Sequence, residues 1–199
     1  MPALRRLLPL LVIGLVTACA APPVITSAAR DRLWQQHRAA VTKLGKWEAH
    51  GRIAVRIGNK GWTANLNWRQ AANVYDASVY GPFGSNRYEL RGGDGSVQLH
   101  TADDRLLYAD NAESLLRRNL GWGVPVAGFI YWIRGVPAPD SKPASVALDD
   151  HGRLTGLDQD GWQIRYEDYV RSGGLALPGR ITLVRDDLHL KLVIHAWSV

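Results

Sequence analysis

Six histidines (His37, His50, His100, His151, His189 and His195) and three acidic pairs (Asp103-Asp104, Asp149-Asp150 and Asp186-Asp187) are the side chains suited to metal binding or acid–base work. His189 and His195 fall on one face of the last strand, with Asp186 and Asp187 near. Their spacing is too long for adjacent ligands and no further ligand converges in sequence, so no metal site is expected. Exposed strand histidines are the ordinary reading. The acidic pairs lie at turns, where Asp is a turn former. A glycoside hydrolase needs two carboxylates facing each other across a cleft. The strand candidates, Glu89 and Glu167, alternate outward with basic neighbours instead. Serine chemistry would want a Gly-x-Ser-x-Gly elbow, which is absent. "RGGDG" is a hairpin turn, not a nucleotide loop. The eight tryptophans read mostly as core rather than as sugar platforms. No catalytic residue and no cofactor is expected.

The single cysteine, Cys19, has a different chemistry. It ends "MPALRRLLPLLVIGLVTAC": a basic start, an apolar run too short to span a bilayer comfortably, then small Thr17 and Ala18. This has the form of a lipobox, after which the cysteine is lipidated and opens the mature chain. Val16 stands where Leu is commoner. Ala20, rather than Asp, implies export to the outer membrane. Residues 1–18 are therefore read as signal peptide, 19–30 as a lipidated tether with Pro22 and Pro23, and 31–199 as one domain. One cysteine also excludes an intrachain disulfide and a Cys-rich zinc site. Without Arg5 and Arg6 the chain keeps 22 basic against 18 acidic residues, a net +4. That charge is too mild and too evenly spread for nucleic acid. It suits an anionic lipid surface or an acidic protein partner, for which Arg52, Arg56 and Arg69 are candidate contacts.

A third feature is physical rather than reactive. In "VYGPFGSN", from Val79 to Asn86, Pro82 and Gly84 mark a tight reversal. Its central residue is Phe83, one of two Phe in the chain. A large ring on a narrow tip either folds back on the sheet or meets an apolar partner.

The elements that must position these residues follow from periodicity. Leu33, Trp34, His37, Ala40, Val41 and Leu44 recur at helical spacing, with Thr26 or Ser27 to cap and Gly45 to end the helix. The period then becomes two. Ile53, Val55 and Ile57 face one way, and after "GNKG" so do Trp62, Ala64, Leu66 and Trp68. Further strands are expected at 74–80, 87–91, 97–101 and 106–109. Two helices interrupt them. One has Asp110 as cap and Glu113 completing a capping box. The other has Pro125 in its first turn, with Val126, Phe129, Ile130 and Ile133 on one face, and ends at Gly135. Strands resume at 145–148, 154–158, 162–169, 180–185 and 188–197. Roughly ten short antiparallel strands with one apolar face predict a mainly β, strongly curved sheet or open barrel. The helices bury their apolar faces on its concave side. Small Ala64 between Trp62 and Leu66 favours a cavity there, although a filled core has the same pattern.

Several stretches together resemble the LolB family of outer-membrane lipoprotein receptors. They are the lipobox ending in Cys19, "LWQQHRAAVTKLGKW", "GRIAV", "GPFGS" before "YEL", "YADNAESLL", "GVPV", "YWIRGVP" and the closing "LKLVIHAW". They span nearly the whole mature chain in order. The resemblance implies an incomplete antiparallel β-barrel with helices as a lid over an apolar cavity. It also implies a monomer, without cofactor or nucleic acid, that accepts lipoproteins from the periplasmic carrier LolA, holds their acyl chains and inserts them into outer-membrane lipid. The wall candidates are then Ile53, Val55, Trp62, Leu66, Trp68, Val97 and Leu99, and the lid candidates Leu116, Phe129, Ile130 and Ile133. The family's exposed loop carries a bulky apolar residue between Pro and Gly, here Phe83 between Pro82 and Gly84, where Leu is common. The competing classes are an envelope hydrolase, which needs ionisable groups converging in the cavity, and a scaffold lipoprotein, which needs no cavity.

Overall fold

The computed structural model describes residues 26–93 and 95–199. The signal segment and Cys19 lie outside them. Helix α1 (Ser27–Thr42) starts inside the stretch expected as tether, ahead of the domain edge placed at Asp31. Thr26 is its cap, its hydroxyl accepting from the Ala29 N–H. The helix closes at Lys43, before the expected Gly45.

The strands β1 (Lys46–Ile57), β2 (Lys60–Ala71), β3 (Val74–Tyr80), β4 (Tyr88–Gly93), β5 (Ser96–His100) and β6 (Leu106–Ala109) follow as a meander. Helices α2 (Ala112–Leu120) and α3 (Val126–Trp132) come next. A second meander closes the chain: β7 (Ser145–Leu148), β8 (Leu154–Gln159), β9 (Trp162–Ser172), β10 (Leu175–Arg185) and β11 (Leu188–Ser198). The two meanders join where β1 pairs with β11, giving one antiparallel sheet of eleven described strands with β6 and β7 at its edges. The sheet stays open. Its eleven strands overlap the eleven segments expected from the sequence, and its class is the expected one.

Alternation sorts the faces. Ile53 and Val55 of β1, Ala64, Leu66 and Trp68 of β2, and Leu188, Leu190, Leu192 and Ile194 of β11 all point into one core. Period two breaks once in β11. His50 pairs with Ala196 but Gly51 pairs with Ile194, so His195 is an extra residue and Trp197 recovers the inner face. The bulge brings backbones together. A Cβ on Gly51 would sit 2.2 Å from the Val193 carbonyl oxygen, so only glycine fits. His195 points outward with His189, and among the described residues no cluster of three metal-type ligands forms.

The helix ends correct one detail. Asn111, not Asp110, caps α2, its side chain accepting from the Ser114 N–H at 2.9 Å. Glu113 does not reach back to close a capping box. It binds Arg117 one turn on and Arg185 of β10 at 2.9 Å, tying the helix to the sheet. Gly121, at φ 79°, ends α2 as a left-handed cap.

His37 of α1 packs edge-on to Tyr169 at 6.4 Å, with its Nε2 buried and unpaired. Burial first, and then the Arg153 charge, lower its pKa below 6.5, while Asp149 opposes. The folded state therefore holds His37 neutral. Below the unfolded value the unfolded chain takes the proton first, so stability rises with pH and is lost as pH falls through that value and below. Thermal midpoints at pH 7.5 and 5.5 check this. His37→Gln should lose less stability over the interval than the wild type. An equal loss would show that His37 does not couple folding to protonation.

Candidate functional site

Antiparallel register carries the apolar face across the first meander in rows. Trp68 pairs with Ala77, Ala77 with Leu90, and Leu90 with Leu99. The next row toward the β3–β4 loop runs from Leu66 to Val79 to Tyr88. Beyond it lie Ala64 opposite Ile53, and then Trp62 opposite Val55. Over these rows sit α2, α3 and the segment between them. Trp68 stacks on Phe129 at 5.4 Å, and its indole N–H is met by Gln70 at 3.1 Å.

Between the rows and the helices is a cavity of about 70 Å³. All fifteen lining residues are apolar or aromatic. Of the expected wall, Ile53, Leu66, Trp68 and Leu99 line it. Val55 and Val97 are buried but outside the lining, and Trp62 is 40% exposed at the mouth. Of the expected lid, Leu116 and Phe129 line the cavity. Ile133 is buried away from it and Ile130 is half-buried, because α3 lies with its Val126–Phe129 side toward β2. Sequence reasoning missed Leu120, Trp122, Val124 and Val126 on the lid and Ala77, Val79, Tyr88, Leu90 and Leu190 on the wall. The wall members were within reach, since pairing each strand to the next extends the Leu66–Trp68 face directly.

The lid is clamped at its far end. Arg134, just past α3, is 5% exposed. Its guanidinium donates to the Ile130 carbonyl at 2.9 Å and to the α1-end carbonyls of Val41 at 3.2 Å and Leu44 at 3.4 Å. It also lies over the rings of Trp47 and Tyr131. Burial lowers its pKa.

At the mouth the β3–β4 loop makes two overlapping turns. The Gly84 N–H reaches the Gly81 carbonyl at 3.2 Å, and the Ser85 N–H reaches the Pro82 carbonyl at 3.2 Å. Ser85 Oγ also donates to the Pro82 carbonyl, at 2.8 Å. Gly84 takes the positive φ expected of it, 79°, and Phe83 takes one too, 55°. A bulky residue there is strained by about 1–2 kcal/mol. Phe83 is fully exposed, at 109% of its reference surface, so its ring leans on nothing.

An open antiparallel sheet wrapped around helices, with an apolar cavity between them and an apolar tip projecting at its mouth, makes an incomplete half-barrel. A solved LolA-superfamily protein of Nitrosomonas europaea superposes with a TM-score of 0.54 at 9% identity, covering 87% of this chain and 93% of that one. A lipoprotein-sorting domain from Vibrio parahaemolyticus, described as an outer-membrane one, gives 0.50 at 11% identity over 83% and 90%. The family profile described as "Outer membrane lipoprotein LolB" matches residues 45–197. The LolB of Pseudomonas savastanoi pv. phaseolicola is 36% identical over 98% of this chain and 96% of its own length. That of Pseudomonas paraeruginosa is 38% identical over 83% and 80%. The chain belongs to the LolB family of outer-membrane lipoproteins.

Proposed function

We propose that this protein receives acylated lipoproteins from a LolA-like periplasmic carrier and inserts them into the outer membrane, to whose periplasmic face a lipid on Cys19 anchors it. It works as a monomer without cofactor or covalent chemistry. The observation that supports this reading is the ordered path from an all-apolar cavity, past Trp62 and Trp122, to the exposed Phe83 tip. An acyl chain in water is unfavourable by about 0.8 kcal/mol per methylene, so it must pass from one apolar surface to the next. At about 70 Å³ the cavity is well under the roughly 300 Å³ at which ligand sites begin. The side chains of Leu116, Leu120, Trp122 and Phe129 occupy the space a chain would take, and they yield on uptake. A hydrolase would need ionisable groups at the chain, and the lining offers only the Tyr88 phenol.

The deciding experiment uses the domain with Cys19 replaced and a carrier loaded with lipoprotein. Transfer of intact cargo is expected. Cleaved cargo would favour a hydrolase, and no uptake a scaffold. The cavity has its own check. Leu66→Glu places a carboxylate on the wall, a costly neighbour for methylenes. Binding of a fluorescent sixteen-carbon fatty acid should weaken by about tenfold, or about 1.4 kcal/mol. Unchanged affinity in the folded variant would remove Leu66 from the binding wall.

A further inference from the structure

The apolar cavity has a neighbour on the side of the β3–β4 loop. Val79, Tyr88, Leu120 and Trp122 form a partition, and on its far side lies a second chamber of about 450 Å³ reaching the Phe83 loop. Trp62 and Trp122, with ring centroids 5.9 Å apart, stand at the junction. None of the chamber's twelve lining residues is charged. It is nonetheless polar on one side, where Ser85, whose hydroxyl is turned to the Pro82 carbonyl, and the amides of Asn86 and Asn119 join the lining. The Asn119 amide gives one hydrogen to the Leu115 carbonyl, which holds it in place and uses one of its two N–H groups.

We propose that this chamber is the subsite for the uncharged linkage of the cargo, the glyceryl esters and the amide that join acyl chains to an acylated amino-terminal cysteine. The inference rests on the acyl-binding reading above and adds to it. The chemistry is complementary in order. Methylenes go to the all-apolar cavity, and carbonyl oxygens meet neutral donors one step outward. A buried carbonyl without a donor is unfavourable, so an amphiphile settles with its linkage where the donors are. A phosphate head group fits poorly, since the lining holds no Arg or Lys. The charged pocket behind Trp122, with Arg117, Arg185, Asp186 and Asp187, is a separate space. The linkage subsite shares Pro82 and Ser85 with the tip loop, so cargo is held with its polar joint beside the segment that meets lipid.

The test compares two probes on the Cys19-replaced domain: a sixteen-carbon fatty acid and a synthetic S-diacylglyceryl-cysteinyl peptide. The substitution Asn119→Leu removes an amide donor at an exposed position, which spares the fold. Affinity for the lipopeptide should fall about tenfold while fatty-acid affinity stays within about twofold. A second measurement does not depend on the variant. A photoreactive group on the glyceryl carbons of the lipopeptide should label Tyr88, Asn86 or Asn119, and one at the chain terminus should label Leu66 or Phe129. Equal loss for both probes, no loss for either, or glyceryl labelling of the deep wall overturns the subsite. If the unaltered domain binds neither probe, acyl binding itself fails, and the subsite with it.

Discussion

Phe83→Glu is expected to leave the domain folded and able to take cargo from a loaded carrier, yet to abolish delivery into outer-membrane lipid vesicles. The ring makes no use of the core, because it is fully exposed. Removing it therefore costs the fold little. Its backbone is held by the paired turns through Gly81, Pro82 and Ser85, so the tip keeps its shape whatever side chain it carries. Moving an exposed Phe into hydrocarbon is favourable by roughly 1.5–3 kcal/mol. That is too little to anchor the protein but enough to hold the mouth at the bilayer while the lipid proposed at Cys19 keeps it nearby. A carboxylate reverses the sign, since its insertion is strongly unfavourable. Loaded complexes should accumulate in the vesicle assay, whereas Phe83→Leu should deliver normally. Phe83→Gly separates strain from function. It releases the positive-φ cost at this position, so stability should hold or rise while delivery falls. Normal delivery by Phe83→Glu would remove the tip from the insertion step.

The second large effect is on stability. Arg134→Ala should lower the unfolding free energy by about 3–5 kcal/mol, the scale of a severe core truncation. Three hydrogen bonds from a charged donor are lost at once, and the carbonyls of Ile130, Val41 and Leu44 lose that donor. A void also opens where the side chain lay between Trp47 and Tyr131. For a domain of this size that corresponds to roughly 10 °C in thermal midpoint. Arg134→Met should be milder, at about 1–2 kcal/mol, because it keeps the stem and removes the burden of a buried charge. Denaturant melts of both variants decide the matter. An alanine variant within about 1 kcal/mol of wild type would show that the clamp between the ends of α1 and α3 contributes little.

Both substitutions bear on how the lid is built. Arg134 fixes the rear of α3 to α1, and the Glu113–Arg185 pair ties α2 to β10. The cavity-facing part, Leu120–Val126, joins the two helices and carries four of the fifteen lining residues. Yielding on uptake is thus expected in the connector and in Trp122, with both helices still attached to the sheet.

Local order was legible in the residues alone. The Ile53–Val55 and Trp62–Trp68 alternations fix which side chains share a face, because a strand has period two whatever surrounds it. Thr26, Pro125 and Gly135 mark helix ends through chemistry that acts over a single turn. The turn at Pro82 and Gly84 was legible for the same reason, and the ordered motifs named the family. What period and propensity do not carry is the relation between segments distant in sequence. The bulge at His195 resets the face of the last strand only because β11 lies against β1 and Gly51 lets their backbones close. Glu113 closes no capping box because it is held by Arg185, a partner 72 residues away. Ile133 and Ile130 share the helical face of Val126 and Phe129 in sequence, but the direction of α3 leaves only Val126 and Phe129 of that face at the cavity. Phe83 is exposed because, among the described residues, no element lies over the loop, and that is not written in the eight residues of the loop. Packing decided these points, since it is set by which surfaces meet, and the sequence orders surfaces only along the chain.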